Sequence, residues 1–174
     1  MSTKAGKEEN MSMKRYNILF LCTHNSARSI LGEIVATTFG GGRFVGFSAG
    51  STPSGVVNPF AVEIAGELGY PVEQLRSKSW DEFSHPDAPK IDIVITVCDA
   101  AATEVCPVWV GMPVVGHWGF EDPSGVLGDD NLKRAAFLEV MGGLKARIER
   151  LAKMPLEDLE CAELRHAIGE LERL

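Results

Sequence analysis

Short apolar runs alternate with segments of helical periodicity along this chain. The runs 16–21 and 91–97 are almost wholly apolar, which is typical of strands buried on both faces of a parallel sheet. Residues 43–48 and 113–116 predict two further strands. Strands that alternate with helices indicate an α/β fold with a parallel sheet, in which ligands bind at the carboxyl ends of the strands.

The helices are predicted from periodicity and from their end signals. One helix is expected over 29–39, before three glycines, and another after Asn58, with Pro59 in its first turn and Gly69 at its end. A short helical turn is expected near 79–83. One face of a long helix is predicted by Phe137, Val140, Met141, Leu144, Ile148 and Leu151, and a last amphipathic helix by Leu164, Ile168 and Leu171.

The chain length of 174 residues indicates one domain. We expect a flexible tail over 1–14, the main domain over 15–154 and a helical extension over 155–174. The tail has no apolar run of signal-peptide length, and no stretch approaches the roughly 20 apolar residues of a membrane span. A cytoplasmic location is therefore expected, where thiols stay reduced.

Charge and cysteine content narrow the function classes. The 17 basic and 24 acidic residues give a net charge of −7, which argues against binding to nucleic acid or to an anionic membrane surface. Four cysteines are too few for a disulfide scaffold, and their spacing matches no structural zinc motif. No dinucleotide glycine motif is present, so we expect neither a metal nor an organic cofactor.

The loop after the first predicted strand carries the candidate chemistry. Its backbone amides and the following helix N-terminus predict an anion-binding nest. Cys22 lies at the strand end, where this field favours the thiolate, and Arg28 is placed to grip an oxyanion with two hydrogen bonds. Asn25 tolerates a positive φ. The residues expected to bind the oxyanion are Thr23, His24, Asn25, Ser26, Ala27, Arg28 and Ser29.

On these residues the sequence resembles the low-molecular-weight tyrosine phosphatase superfamily, whose signature is Cys-x5-Arg-Ser after the first strand. It is most similar to the thioredoxin-coupled arsenate reductases of that superfamily. The resemblance spans 17–153 and includes Phe47-Ser48-Ala49-Gly50 and His117-Trp118-Gly119-Phe120-Glu121-Asp122-Pro123. It implies a four-stranded parallel sheet flanked by helices, to which the extension adds a C-terminal helix.

The resemblance also implies roles for the site residues. Cys22 would attack arsenate, with phosphate and sulfate as competing oxyanions, Arg28 would bind the oxyanion, and Asp122 would protonate the leaving oxygen. Cys98 would then release arsenite by forming a disulfide with Cys22, and Cys106 would take over that disulfide and present it to thioredoxin. A glutaredoxin system is the alternative reductant.

Spacing adds a conformational expectation. The segment between Cys98 and Cys106 is alanine-rich, and a straight helix would separate the two residues by about 12 Å. A disulfide requires Cα atoms within about 7 Å, so the segment must loop out or unwind in each cycle. Cys161, three residues before Leu164, is expected in the core.

Two other functions remain open. A low-molecular-weight protein tyrosine phosphatase would share Cys22, Arg28 and Asp122, although Ser124 and Gly125 replace the aromatic residues that follow Asp-Pro in those enzymes. A non-catalytic oxyanion-binding regulatory module is the alternative from another class, but binding alone needs no nucleophile.

Some relatives bind potassium through an Asn, a Glu, a Ser and an Asp. Asn25, Glu33 and Ser48 resemble the first three and are the potassium candidates here. The aspartate position falls at Trp80, with Asp81 one step away, so the fourth ligand is unmatched.

Overall fold

The computed structural model describes residues 14–104, 107, 109 and 111–174. The predicted tail, apart from Lys14, and Cys106 lie outside the described residues. Four strands form one parallel sheet in the order β2-β1-β3-β4. Their bounds are Tyr16–Cys22 (β1), Phe44–Gly50 (β2), Ile93–Thr96 (β3) and Val114–His117 (β4).

In the described part of the chain, five α-helices connect or follow the strands. They are Arg28–Phe39 (α1), Pro59–Glu67 (α2), Asp99–Thr103 (α3), Asp130–Ala152 (α4) and Cys161–Leu171 (α5). Short 3-10 turns lie at Val72–Gln74, Trp80–Phe83, Pro123–Gly125 and Leu156–Asp158. The predicted α/β class and four-stranded parallel sheet are confirmed. The part of the chain that the structure describes has no helix long and apolar enough to cross a membrane.

Side chains at their N-termini cap α2, α4 and α5, and among these the start of α2 is the one that the sequence predicted. The Asn58 side chain accepts a hydrogen bond from the Phe60 amide at 3.0 Å, and Pro59 is the first helical residue of α2. Asp129 caps α4 by accepting from the Leu132 amide at 2.9 Å. A capping box that pairs Glu160 with Glu163 begins α5.

Side chains of β1 alternate between two hydrophobic clusters, because successive residues of a strand face opposite sides of the sheet. Ile18 and Phe20 belong to the main cluster, which contains the buried apolar side chains of α1, α2, α4 and α5. Leu19 and Leu21 belong to a smaller cluster, where Trp109 is 7% exposed. Its indole packs edge-on against that of Trp80, with ring centroids 6.3 Å apart.

The C-terminal helix α5 is part of the main cluster. Leu164, Ile168 and Leu171 are buried there, as their spacing predicts, and the Ile168 carbonyl accepts a hydrogen bond from the Trp118 indole at 3.0 Å. The predicted core position of Cys161 is wrong: this residue is exposed, because it is the first residue of α5 and lies before the part of the helix that reaches the core.

Candidate active site

The two thiols that the sequence singled out on the described chain lie at one edge of the sheet. Leu21 of β1 is the register partner of Thr96 of β3, and the Val97 amide donates to the Leu21 carbonyl at 2.9 Å. Cys22, the last residue of β1, and Cys98, two residues after β3, therefore lie at the carboxyl ends of neighbouring strands. The chain leaves β1 toward β2 on one side and leaves β3 toward β4 on the other, which makes this edge the switch point where ligands bind in such folds.

Hydrogen bonds from behind hold the Cys22 sulfur. Cys22 is 4% exposed, and its Sγ is hydrogen-bonded to Ser29 Oγ at 2.8 Å. Ser29 Oγ also accepts from Asn25 Nδ2 at 2.8 Å. Asn25 has φ = 46°, a positive value that asparagine tolerates better than most residues. Asn25 and Ser29 are fully buried, and their side chains support the nucleophile from inside the loop.

The loop packs closely on the end of β2. A Cβ atom added at Gly50 would lie 2.5 Å from the Thr23 carbonyl oxygen and 2.9 Å from the Asn25 amide nitrogen. The same Thr23 carbonyl accepts a hydrogen bond from the Thr52 amide at 2.8 Å. Glycine is thus required at position 50 because two backbone segments approach there.

Arg28 and Asp122 face each other across the site. Arg28 begins α1, and its Nη1 donates to the Phe120 carbonyl at 2.9 Å, while Nη2 lies 3.7 Å from Asp122 Oδ2. Burial raises the pKa of Asp122, but hydrogen bonds from the Ser124 hydroxyl and amide, together with Arg28, outweigh it and leave the pKa below its ordinary value. Asp122 is therefore a carboxylate when no oxyanion is bound.

Two adjoining cavities share His24, Arg28 and Asp122. The smaller, of about 40 Å³, is lined by Cys22 and also by Ser26, Ala27 and Ser124. The larger cleft, of about 590 Å³, is lined by Thr23, Cys98, Asp99, Ala100, Gly119, Phe120 and Glu121 in addition to the shared residues. Residues 22–29, the signature loop, thus contribute to both a small cavity at Cys22 and an adjoining cleft at Cys98.

Cys98 is a buried thiol in contact with the signature loop. It is 3% exposed and caps α3, and its Sγ accepts from the Ala101 amide at 3.4 Å. Thr23 Oγ1 lies 3.8 Å from Cys98 Sγ, within hydrogen-bond distance for sulfur. The helix α3, which follows Cys98, ends at Thr103.

His117 ties the end of β4 to the residue after Cys98. Its Nδ1 is hydrogen-bonded to Thr96 Oγ1 at 2.7 Å, and its Nε2 lies 3.1 Å from Asp99 Oδ1. These contacts connect β3, β4 and the first residue of α3, so His117 positions the backbone that carries Cys98.

A buried lysine lies next to the candidate potassium ligands. Ser48 Oγ donates to Glu33 Oε2 at 2.5 Å, so these two candidates are brought together. Lys78 Nζ lies 3.8 Å from the same carboxylate oxygen and 3.4 Å from Ser48 Oγ, and the Asn25 amide oxygen accepts from the Lys78 backbone N–H at 2.9 Å. The candidate oxygens are thus already engaged by a buried lysine, and they do not fit a potassium ion.

The aspartate next to the unmatched fourth ligand position is not buried with the other candidates. Asp81 is exposed, in the 3-10 turn Trp80–Phe83. Sequence reasoning missed both Lys78 and Tyr70, whose hydroxyl donates to Glu33 Oε1 at 3.0 Å. No hydropathy pattern marks an isolated lysine in a polar segment as buried. Among the described residues, no group of three or more His, Cys, Asp or Glu side chains is arranged to hold a metal ion.

Comparisons with known proteins agree with the resemblance. A model described as low molecular weight phosphotyrosine protein phosphatase matches residues 17–163. An arsenate reductase of Halalkalibacterium halodurans is 36% identical over 141 residues, which cover 81% of this chain and 98% of that protein. A glutaredoxin arsenate reductase of Synechocystis is 31% identical over 134 residues, covering 77% of this chain and 94% of that protein.

The fold comparison gives the same result. A solved structure described as an arsenate reductase in the phosphate binding state has a TM-score of 0.60 and 30% sequence identity. The superposed region covers 79% of this chain and 96% of the chain in that structure. The resemblance to arsenate reductases built on the phosphatase fold is confirmed.

Proposed function

Because this chain belongs to the low molecular weight phosphotyrosine protein phosphatase family and matches arsenate reductases over most of their length, we propose that it reduces arsenate to arsenite. The observation that carries the proposal is the second thiol. Cys98 is buried beside the signature loop and lines a cleft that shares Arg28 and Asp122 with the cavity of Cys22. Ester hydrolysis has no use for such a thiol, whereas the reduction of arsenic requires one.

In the first step, the Cys22 thiolate forms a bond to arsenic, and one arsenic–oxygen bond breaks. Arg28 binds the oxyanion, and the backbone of residues 23–29 stabilises its charge. The leaving oxygen takes a proton from Asp122 and departs as water. Arsenic remains As(V) in this adduct.

Protonation of Asp122 follows from oxyanion binding. In the free protein, Arg28 and Ser124 favour the carboxylate of Asp122. An arsenate anion that takes over Arg28 adds negative charge next to Asp122, and both effects raise its pKa. Asp122 therefore takes up a proton from the bound dihydrogen arsenate or from solvent, and it is placed to donate that proton to the leaving oxygen.

In the second step, the Cys98 sulfur attacks the Cys22 sulfur and breaks the sulfur–arsenic bond. The bonding pair stays with arsenic, which leaves as arsenite, and the two thiols become a disulfide. Two electrons thus pass from the cysteines to As(V). Cys106 then attacks Cys98 and frees Cys22, and the Cys98–Cys106 disulfide is reduced by an external dithiol.

We propose thioredoxin as that dithiol. Glutaredoxin is the alternative, because the Synechocystis relative is described as a glutaredoxin arsenate reductase. Phosphate and sulfate are expected to compete with arsenate, because they are tetrahedral oxyanions of the same charge class. A cytoplasmic location fits this scheme, since thiol reductants operate there.

Counting thiols tests the proposal. Fully reduced protein is mixed with arsenate without external reductant, and we expect one arsenite and the loss of two thiols per chain. Cys98→Ser should stop at the Cys22 adduct, whereas Cys161→Ser, the matched control on an exposed thiol, should behave as the unaltered protein. Hydrolysis of an aryl phosphate with all thiols intact and no arsenite would refute the reductase in favour of a phosphatase. If the protein neither releases arsenite nor hydrolyses an aryl phosphate, the remaining function is that of an oxyanion-binding module.

The reductant is identified in a second assay. The arsenate-oxidised protein is incubated with thioredoxin and its reductase, or with glutaredoxin and glutathione, and recovery of thiols is followed. Thioredoxin should restore them in the absence of glutathione. Recovery with the glutaredoxin system alone would overturn the thioredoxin assignment and leave the reductase assignment intact.

A further inference from the structure

Lys78 is a buried cation next to the signature loop. The side chains of Lys78 and Glu33 are each 8% exposed, and Nζ lies 3.8 Å from Glu33 Oε2. Nζ also donates to the Arg76 carbonyl at 2.9 Å and lies 3.4 Å from Ser48 Oγ. An ammonium at this depth is stable only with partners of this kind, because burial alone opposes the charge.

The surroundings balance the charge of Lys78. The pKa of Lys78 lies below its ordinary value, because burial outweighs the opposing effect of the Glu33 carboxylate. Both carboxylate oxygens of Glu33 are engaged, one by the Tyr70 hydroxyl and the other by Ser48 and Lys78. Burial and Glu33 raise the pKa of Tyr70, so its hydroxyl keeps the proton that it donates. One negative and one positive group thus form a neutral, hydrogen-bonded cluster.

The backbone of Lys78 connects this cluster to the nucleophile. Its N–H donates to Asn25 Oδ1 at 2.9 Å, and its carbonyl accepts from the Gly50 amide at 2.9 Å. Asn25 in turn donates to Ser29, which is hydrogen-bonded to the Cys22 sulfur. A displacement of Lys78 therefore reaches the sulfur through two side chains, and it also acts on Asn25, whose positive φ has to be held in place.

We infer that the Lys78 ammonium is a built-in replacement for a monovalent cation. It binds Glu33 and Ser48, and it thereby holds in place the Lys78 backbone, whose N–H is bonded to Asn25 of the signature loop. Lys78 is a positioning residue, since it acts on Cys22 through Asn25 and Ser29. This inference rests on the proposed function only for its kinetic part. The structural part predicts that the protein does not respond to potassium, although three of its residues match potassium ligands of relatives.

Removing the ammonium should create a cation response. Lys78→Ala keeps the backbone N–H and carbonyl of residue 78, but it removes the side-chain contacts that hold this backbone in place. It also empties the volume that the ammonium occupies beside Glu33 and Ser48. A cavity of about 380 Å³, lined by Glu33, Tyr70 and Lys78 among others, adjoins this volume and gives an ion access from solvent. Lys78→Met is the matched variant that removes the charge but fills the volume, and Lys153→Ala is the control for loss of an exposed lysine.

Thermal unfolding is measured in potassium, sodium or choline chloride at constant ionic strength. Potassium should raise the Tm of Lys78→Ala by about 3 °C or more over choline, saturably, while Lys78→Met, Lys153→Ala and the unaltered protein shift by less than about 1 °C. If Lys78→Ala folds only in potassium, the inference is supported in the same way. A potassium response of the unaltered protein, or none in Lys78→Ala, overturns it.

Kinetics give the second readout. In choline, Lys78→Ala should lose about tenfold in the rate of arsenite release, as is common when a group that orients a reactive residue is removed. Potassium should restore most of that rate, with the same half-saturation as the Tm shift. The Tm result does not depend on arsenate, so a protein that failed to reduce arsenate would still confirm or refute the role of Lys78.

Discussion

Substitution of Gly50 by alanine should damage the signature loop from behind. The added Cβ would lie 2.5 Å from the Thr23 carbonyl oxygen, whereas real Cβ atoms keep at least 3.0 Å, so the backbone has to separate by at least 0.5 Å. Both neighbours at this point are backbone atoms of the loop, which have no rotamer to escape into. The strain therefore passes to the loop segment that follows Cys22.

The size of the effect follows from this displacement. Inserting a methyl group into packed structure costs about 1–3 kcal/mol, which for a chain of this length lowers Tm by about 2–12 °C. A misplacement of 1 Å can cost a hundredfold in rate, so half of that distance predicts a loss of about tenfold in kcat/KM for arsenate. Gly50→Ala should thus lose more activity than its change in stability explains at 25 °C, where it remains folded.

The assay compares arsenite release and thermal unfolding for Gly50→Ala and Gly66→Ala. Gly66 is an exposed residue of α2 with no atom within 4 Å of an added Cβ, so the second substitution should leave activity unchanged and raise stability by about 0.5–1 kcal/mol. If Gly50→Ala keeps the activity and Tm of the unaltered protein, the close approach of the two backbones does not constrain the loop, and the reasoning is refuted.

Three further predictions concern the acid, the C-terminal helix and the exposed thiol. Ser124→Ala removes a 2.6 Å hydrogen bond to the Asp122 carboxylate and therefore raises the pKa of Asp122. Because Asp122 then stays protonated to higher pH, the alkaline limb of the pH profile of kcat should move to higher pH. An unmoved limb would count against Asp122 as the general acid. Ile168→Ala should lower the free energy of unfolding, measured in urea, by about 2–5 kcal/mol. The control His166→Ala, at an exposed position of the same helix, should change it by about 0.5 kcal/mol or less. Equal effects of the two substitutions would contradict the core role of α5. Cys161→Ser should keep full turnover with reductant, and a slowed turnover would place this thiol in the relay.

Periodicity predicted most of the fold. Strand β1 was recognisable because it is buried on both faces and is therefore almost wholly apolar. The long helix α4 was recognisable because it buries one stripe, which spaces its apolar residues with helical periodicity. The loop from Cys22 to Ser29 was recognisable because its residue types fit an anion nest. Cys161 was placed wrongly because helical spacing identifies a face, but not where along the helix that face reaches the core.

The support behind the loop was not predictable in the same way. The pairing of Glu33 with Lys78 joins α1 to a segment far away in the sequence, and local hydropathy does not report such a pair. The closeness of Gly50 to Thr23 also depends on how β2 ends beside β1, which only the assembled sheet fixes.

The smaller hydrophobic cluster has a practical consequence for following the enzyme in real time. Trp109 lies three positions after Cys106 in the sequence, and its indole packs on that of Trp80. If the segment from Cys98 to Cys106 rearranges to form its disulfide, as proposed, we expect Trp109 to shift against Trp80 and its fluorescence emission to change. Trp118, fully buried and hydrogen-bonded to the Ile168 carbonyl, contributes a constant background. Stopped-flow fluorescence should therefore follow oxidation of the protein without any attached dye.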